Sequence, residues 1–224
     1  MKSTLWPFFT LTLFTFWSCN GDDQKAPASQ LAPELYLDYK VSAEEAAEYA
    51  VVLLYFRDGG RNGNAVALEE GSQVSFDGEP LTADSARLTG VYYEAQRPLA
   101  GFAGSHTIVY KDKEGREYKQ AFQFTPLTLE SLPPVLSRQD LSLRLGESAG
   151  KSRIQVLVTD TSFETADINE EYMATNGEII ITHDELNNVV SGPITLELVK
   201  EEVQPLANGR LVINYTLRRE LELR

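Results

Sequence analysis

Cysteine occurs once in the 224 residues, at Cys19, so no internal disulfide can form. Histidine occurs twice, at His106 and His183, which leaves metal centres and histidine-dependent triads little to work with. Both tryptophans, Trp6 and Trp17, lie in the leader described below, and the rest of the chain has none. Basic residues are outnumbered, 20 against 33 acidic, for a net charge of −13. That balance argues against nucleic acid and anionic lipid surfaces as partners. The sequence contains no GxSxG, HExxH, CxxC or phosphate-loop pattern. Carboxylates are plentiful, but no spacing singles out a catalytic pair. The expectation is a protein that is not an enzyme, with no catalytic residue, no cofactor and no metal centre.

The chain opens Met1-Lys2 and runs into an apolar stretch, Leu5 to Trp17, that ends at Ser18-Cys19 with Asp22 and Asp23 close behind. A short apolar run behind one basic side chain is a secretory signal pattern, and it falls short of the roughly 20 apolar residues needed to cross a bilayer. Residues 1–18 read as the signal peptide, with cleavage between Ser18 and Cys19. Residues 19–33 follow as a polar tether containing Pro and Ala. A secreted chain with one leftover thiol calls for an explanation, and acylation of Cys19 supplies it. Lipidation contributes about 0.8 kcal/mol per buried CH₂, and more than one acyl chain is needed for durable membrane attachment.

Beyond the tether the pattern is that of strands. ELYLDYKV (Glu34 to Val41) alternates apolar and polar. SAEEAAEY (Ser42 to Tyr49) has a possible capping box in Ser42 and Glu45 and predicts a brief helical turn. VVLLYF (Val51 to Phe56) predicts a central strand. VALEEG predicts a short strand, and Asp77-Gly78 a tight hairpin whose second arm, with Pro80, lies at an edge. Ala86 to Ala95, His106 to Tyr110 and Glu117 to Phe124 supply further strands, the last two joined by DKEG. Prolines 126, 133 and 134 mark a boundary.

In the second half, Leu141 to Leu145, Ile154 to Val158 and EIIIT alternate or read as β-rich, with an acidic loop from Asp160 to Asn176 between them. Thr182 opens a capping box for a short helix from His183 to Val190. A long hairpin with Asn208-Gly209 as its turn pair closes the chain. It places Leu211, Ile213, Tyr215 and Leu217 in the core and Val212, Asn214, Thr216 and Arg218 outward. Turn signals about every ten residues predict an all-β chain of two tandem immunoglobulin-like antiparallel β-sandwich domains, 34–127 and 135–224, with one short helix in the second.

FWSC resembles a bacterial lipobox; Ser18 and Cys19 carry the match, while Phe16 and Trp17 do not. With NGDD after the cysteine and two cysteine-free sandwiches, the chain resembles the small outer-membrane or surface lipoproteins of Gram-negative bacteria that carry immunoglobulin-like domains. The resemblance implies a lipid anchor in the outer membrane, on its cell-surface or periplasmic face, and an export signal at Asp22 and Asp23. It also implies an interaction, adhesion or assembly role toward an envelope protein. The alternative is a glycan- or small-ligand-binding surface lipoprotein, for which Tyr55, Phe56, Tyr92, Tyr93 and Phe102 are the candidate stacking residues. Asp160, Glu164 and Asp167 form a weak calcium candidate, since calcium accepts six to eight oxygens in flexible geometry.

Overall fold

The computed structural model describes residues 35–146, 150, 152–161 and 168–224. Ser18, Cys19, Asp22 and Asp23 lie outside them, as do Glu164 and Asp167. The first half forms β1 (Leu35–Glu44), β2 (Tyr49–Asp58), β3 (Gln73–Phe76), β4 (Glu79–Leu81), β5 (Ala83–Ala86), β6 (Gly90–Pro98), β7 (Gly104–Lys111) and β8 (Glu117–Phe124). One sheet runs β1-β2-β6-β5 and the other β4-β3-β7-β8. Strand alternation buries Leu37, Tyr39, Val41, Val52, Leu54 and Phe56 from the first sheet with Val74, Phe76, Ile108, Phe122 and Phe124 from the second. Phe56, fully buried, has Tyr39, Tyr93 and Tyr110 around it at ring-centre distances of 5.9, 5.5 and 5.0 Å.

The second half forms β9 (Val135–Leu136), β10 (Leu141–Arg144), β11 (Arg153–Thr159), β12 (Ile168–Met173), β13 (Glu178–Ile181), α1 (His183–Leu186), β14 (Gly192–Leu206) and β15 (Gly209–Leu223). Here β12-β11-β14-β15 make one sheet, with β9 parallel to the end of β15, and β10-β13 make the other. Both halves thus have the strand order of immunoglobulin-like sandwiches.

The two are not separate sheets. β14 and β15 are each 15 residues long, and only the part of the hairpin nearest its base is paired by β11, through Thr195 to Lys200. The rest continues into the first half, where β15 pairs in parallel with β1 from Leu37↔Gly209 to Glu44↔Thr216. Leu211, Ile213 and Tyr215 are buried as expected, but among first-half residues, with Tyr215 edge-on to Phe124 at 5.9 Å. The strand that closes the second sandwich therefore also extends the first sheet, and one hydrogen-bonded sheet crosses the proline-rich boundary.

Local expectations fare unevenly. Asp77-Gly78 forms its turn with φ of 47° and 84°, and Pro80 lies on edge strand β4. Ser42 does not cap a helix: Ser42 to Glu44 stay in β1 because β15 takes their backbone groups, and a turn closed by the Ala47 amide on the Glu44 carbonyl follows. VALEEG (Val66 to Gly71) forms no strand; an isolated bridge between Arg57 and Ala65 precedes it. Ala86 and Ala95 fall on different strands, since Gly90 at φ 78° begins β6 after a turn. β12 occupies part of the expected acidic loop, and α1 ends at Leu186 instead of Val190.

The closing turn is shifted by one residue. Leu206 pairs with Gly209, so Ala207-Asn208 turn the chain and Gly209 is already in β15. The reason is contact with β1: Asn208 donates its side-chain amide to the Leu35 carbonyl at 2.6 Å and accepts the Leu37 amide at 2.9 Å. A Cβ on Gly209 would come within 2.1 Å of the Leu37 carbonyl oxygen, so glycine serves here for close approach. Val212, expected outward, is also buried, being flanked by β14 and β1.

The capping box at Thr182 forms as expected. The Thr182 amide donates to Glu185, and the Glu185 amide donates back to the Thr182 hydroxyl. Burial raises the Glu185 pKa, but hydrogen bonds from Tyr172 and Thr182 outweigh it and hold the carboxyl below its ordinary range. A folded pKa below the unfolded one stabilises above the unfolded value, and that stability is lost as pH falls through the folded value. Glu185→Gln is therefore expected to flatten the acid limb of the stability profile below about pH 4.5. Urea midpoints at stepped pH check this, and parallel acid limbs for the two proteins would refute it.

Candidate functional site

Among the described residues, polar side chains converge on the outer face of the first sheet and at one end of the first sandwich. On the sheet, Asp38 is 2% exposed although it lies in an alternating strand. Its Oδ2 accepts from Arg57 Nε and pairs with Nη2, both at 3.0 Å, and its Oδ1 accepts from Arg210 Nε at 3.0 Å. β1, β2 and β15 are thereby tied by one carboxylate with both oxygens occupied. The Arg57 guanidinium also lies over the Tyr55 ring at 5.2 Å, and Lys40 approaches the same ring at 5.6 Å. Buried charge is tolerated only when paired and hydrogen-bonded, and this geometry satisfies it. Asp38 is a structural joint.

At the end of the sandwich, a cleft of about 510 Å³ opens where β1 starts and the loop after β2 faces the β7–β8 turn. Leu35, Val66 and Leu68 supply aliphatic lining, and Tyr110 and Tyr118 aromatic lining. These tyrosines are direct cross-strand partners on either side of DKEG, stacked at 5.5 Å with 19° between planes. Asp112 is buried; its Oδ1 accepts the Arg116 amide at 2.9 Å, and its Oδ2 accepts Arg116 Nε at 2.6 Å and the Tyr118 hydroxyl at 3.2 Å. Burial pushes the Asp112 carboxyl up, but these donors overcome it and hold it below the usual range. Lys113 pairs with Glu69 at 2.6 Å, and Arg116 reaches Glu114 at 3.3 Å.

The residues singled out as sugar-stacking candidates are not brought together on a surface. Tyr55, Phe56, Tyr93 and Phe102 are buried, and Tyr92 alone is half-buried, its hydroxyl donating to Asp84. Tyr55 is covered because Lys40 and Arg57 lie over it, whereas Phe56, Tyr93 and Phe102 point into the core. His106 is stacked on Phe102 at 4.2 Å, with Nδ1 2.7 Å from Asp77 and Nε2 2.6 Å from the Phe102 carbonyl. Ser105 instead donates to Gln123, so the neighbours Ser105 and His106 form no nucleophile–base pair. His183 is the first helical residue, as expected, beside Asp184. Of the calcium candidates only Asp160 is described, and it is buried; no group of His, Cys, Asp or Glu among the described residues is arranged to hold a metal.

Sequence reasoning missed Asp38, Asp112 and Tyr118. A signal for the last two was present, since YKDKEGREY places a tyrosine symmetrically on each side of a turn. For Asp38 no signal was local, because its second arginine lies 172 residues away.

The strand order defines the chain as all-β with two immunoglobulin-like sandwiches sharing a strand. No protein-family model matches the chain, and no curated protein does. Among solved structures, a crystal structure of Dpr11 IG1 bound to DIP-gamma is 12% identical, with 86% of this chain and 98% of that one covered at a TM-score of 0.26. The Yersinia pseudotuberculosis adhesin InvE is 16% identical over 82% of this chain and 60% of that one, at 0.23. A Bacteroides ovatus mixed-linkage glucan utilization locus protein, SGBP-B, in complex with a mixed-linkage heptasaccharide, is 8% identical over 82% and 61%, at 0.22. Scores of this size leave the fold assignment to the strand order itself.

Proposed function

We propose that the protein is a cell-envelope lipoprotein, held in the outer membrane through Cys19, that acts as a non-catalytic interaction, adhesion or assembly module. The leader ending in Ser18-Cys19 supports the anchor, and the polar residues 20–33 supply the tether. The observation that carries the interaction reading is β15. It hydrogen-bonds to β1, directly after the tether, and runs on to the far sandwich. A partner gripped by the far sandwich is thus connected to the anchored end through a sheet and not a loose linker. Metabolic labelling with a fatty-acid analogue tests the anchor: the wild type takes up label and Cys19→Ala takes up none. Equal labelling of the two proteins would sink it. The cleft walled by Tyr110 and Tyr118 favours a second reading, glycan or small-ligand binding at the cell surface.

A further inference from the structure

We infer that the cleft beside Tyr118 is a binding site for a neutral, polyhydroxylated ring, a hexose or pentose unit of an uncharged oligosaccharide. The inference rests on the ligand-binding reading and is independent of the anchor at Cys19. Three observations carry it. The first is size, since about 510 Å³ lies within the roughly 300–1,000 Å³ typical of small-molecule sites.

The second is a preorganised aromatic wall. Tyr118 has one neighbour fixed by stacking on Tyr110, and its hydroxyl is engaged by the buried Asp112 carboxylate. A ring held at both places loses little freedom when a ligand packs on it. Half-buried Tyr118 therefore offers a flat apolar surface to the C–H groups of a sugar ring. Leu35, Val66 and Leu68 complete the apolar lining.

The third observation is the state of the charges. Asp112 is joined to Arg116, Arg116 to Glu114, and Lys113 to Glu69. With Asp58, the lining sets four carboxylates against Lys113 and Arg116, an excess that repels an anionic sugar, while the lone pairs and N–H groups of the paired residues can accept from and donate to hydroxyls. An anionic ligand would meet the excess of carboxylates and have to break these pairs, whereas a neutral polyol can add to them. The polar partners are thus suited to hydroxyl groups, and the aromatic wall to the ring that bears them.

The test uses the full chain as the cell produces it, purified in a detergent without a sugar headgroup. Binding is read by isothermal titration calorimetry, because only Tyr110 and Tyr118 of the chain's ten tyrosines line the cleft and a fluorescence signal would not be specific to it. The probes are cellohexaose, maltoheptaose, xylohexaose and mannohexaose, with oligogalacturonate as the charged comparison. At least one neutral probe is expected to bind saturably, and Tyr118→Ala to weaken it about tenfold or more. Tyr92→Ala, on the outer sheet face, is expected to leave the affinity unchanged. Should Tyr118→Ala not fold by circular dichroism, Ala67→Trp replaces it: Ala67 is an exposed residue of the cleft lining, and a bulky side chain there should block binding. Binding of oligogalacturonate alone, sensitive to Tyr118, would overturn the neutral class while leaving a ligand site in the cleft. No binding by any probe, or binding indifferent to both cleft variants, would overturn the site and the ligand reading together, without touching the anchor.

Discussion

Asp38→Ala should lower the unfolding free energy by about 3 kcal/mol, because it removes the shared acceptor from a buried charge cluster and leaves two arginines facing each other. Removing one partner of a buried pair commonly costs about 3–5 kcal/mol. The lower end applies here because the Arg57 and Arg210 side chains are 21% and 26% exposed and reach water once released. The loss should also be cooperative in a particular way. Asp38 joins β15 to β1, so the substitution should weaken the first half and its hold on the second together. A double-mutant cycle with Arg210→Met, read by urea denaturation, should give a coupling energy of about 1–2 kcal/mol. Additive effects of the two substitutions would mean that Arg210 is held to β1 by the backbone ladder alone, and would retire the view of Asp38 as the joint.

A larger effect is expected from dividing the chain. Within residues 135–224, β9 through β15 pair with one another, so this fragment is proposed to fold on its own with the far end of its hairpin uncovered. Residues 34–134 are not equivalent. They lack β15, which leaves the β1 edge unpaired from Leu37 to Glu44 and takes Leu211, Ile213 and Tyr215 from the core. Burying one such side chain is worth about 1.5–3 kcal/mol, so losing all three removes a large part of a typical total stability of about 5–15 kcal/mol. The expected outcome is a cooperative thermal transition for the C-terminal fragment. The N-terminal one should show none, or should aggregate through its open edge. Mixing the two should restore the missing transition. A cooperative melt for residues 34–134 alone would show that the shared strand is an addition to a finished sandwich.

Much of this was legible from local pattern. Alternation in LYLDYKV, SRIQVLVTD and RLVINYTL marked strands because successive side chains in a strand face opposite sides, and the Asp77-Gly78 and Thr182 signals worked because their partners lie within three residues. The candidate site was less legible. A tyrosine in a strand looks the same whether its ring lies in the core, as Tyr93 does, or at a cleft, as Tyr118 does.

By itself, the sequence determined the all-β character, the acidic balance and the alternation that turns Leu211, Ile213, Tyr215 and Leu217 of β15 inward, since each depends on chemistry and spacing within a short stretch. Only the tertiary structure decided what β15 turns inward against. Its alternation requires a buried face but is silent about which sheet provides it. The answer came from groups far apart in the chain: the Leu35 and Leu37 backbone meeting Asn208 and Gly209, and Asp38 meeting Arg210. Those contacts pulled the turn one residue back from Asn208-Gly209 and carried the sheet across the boundary that the prolines mark.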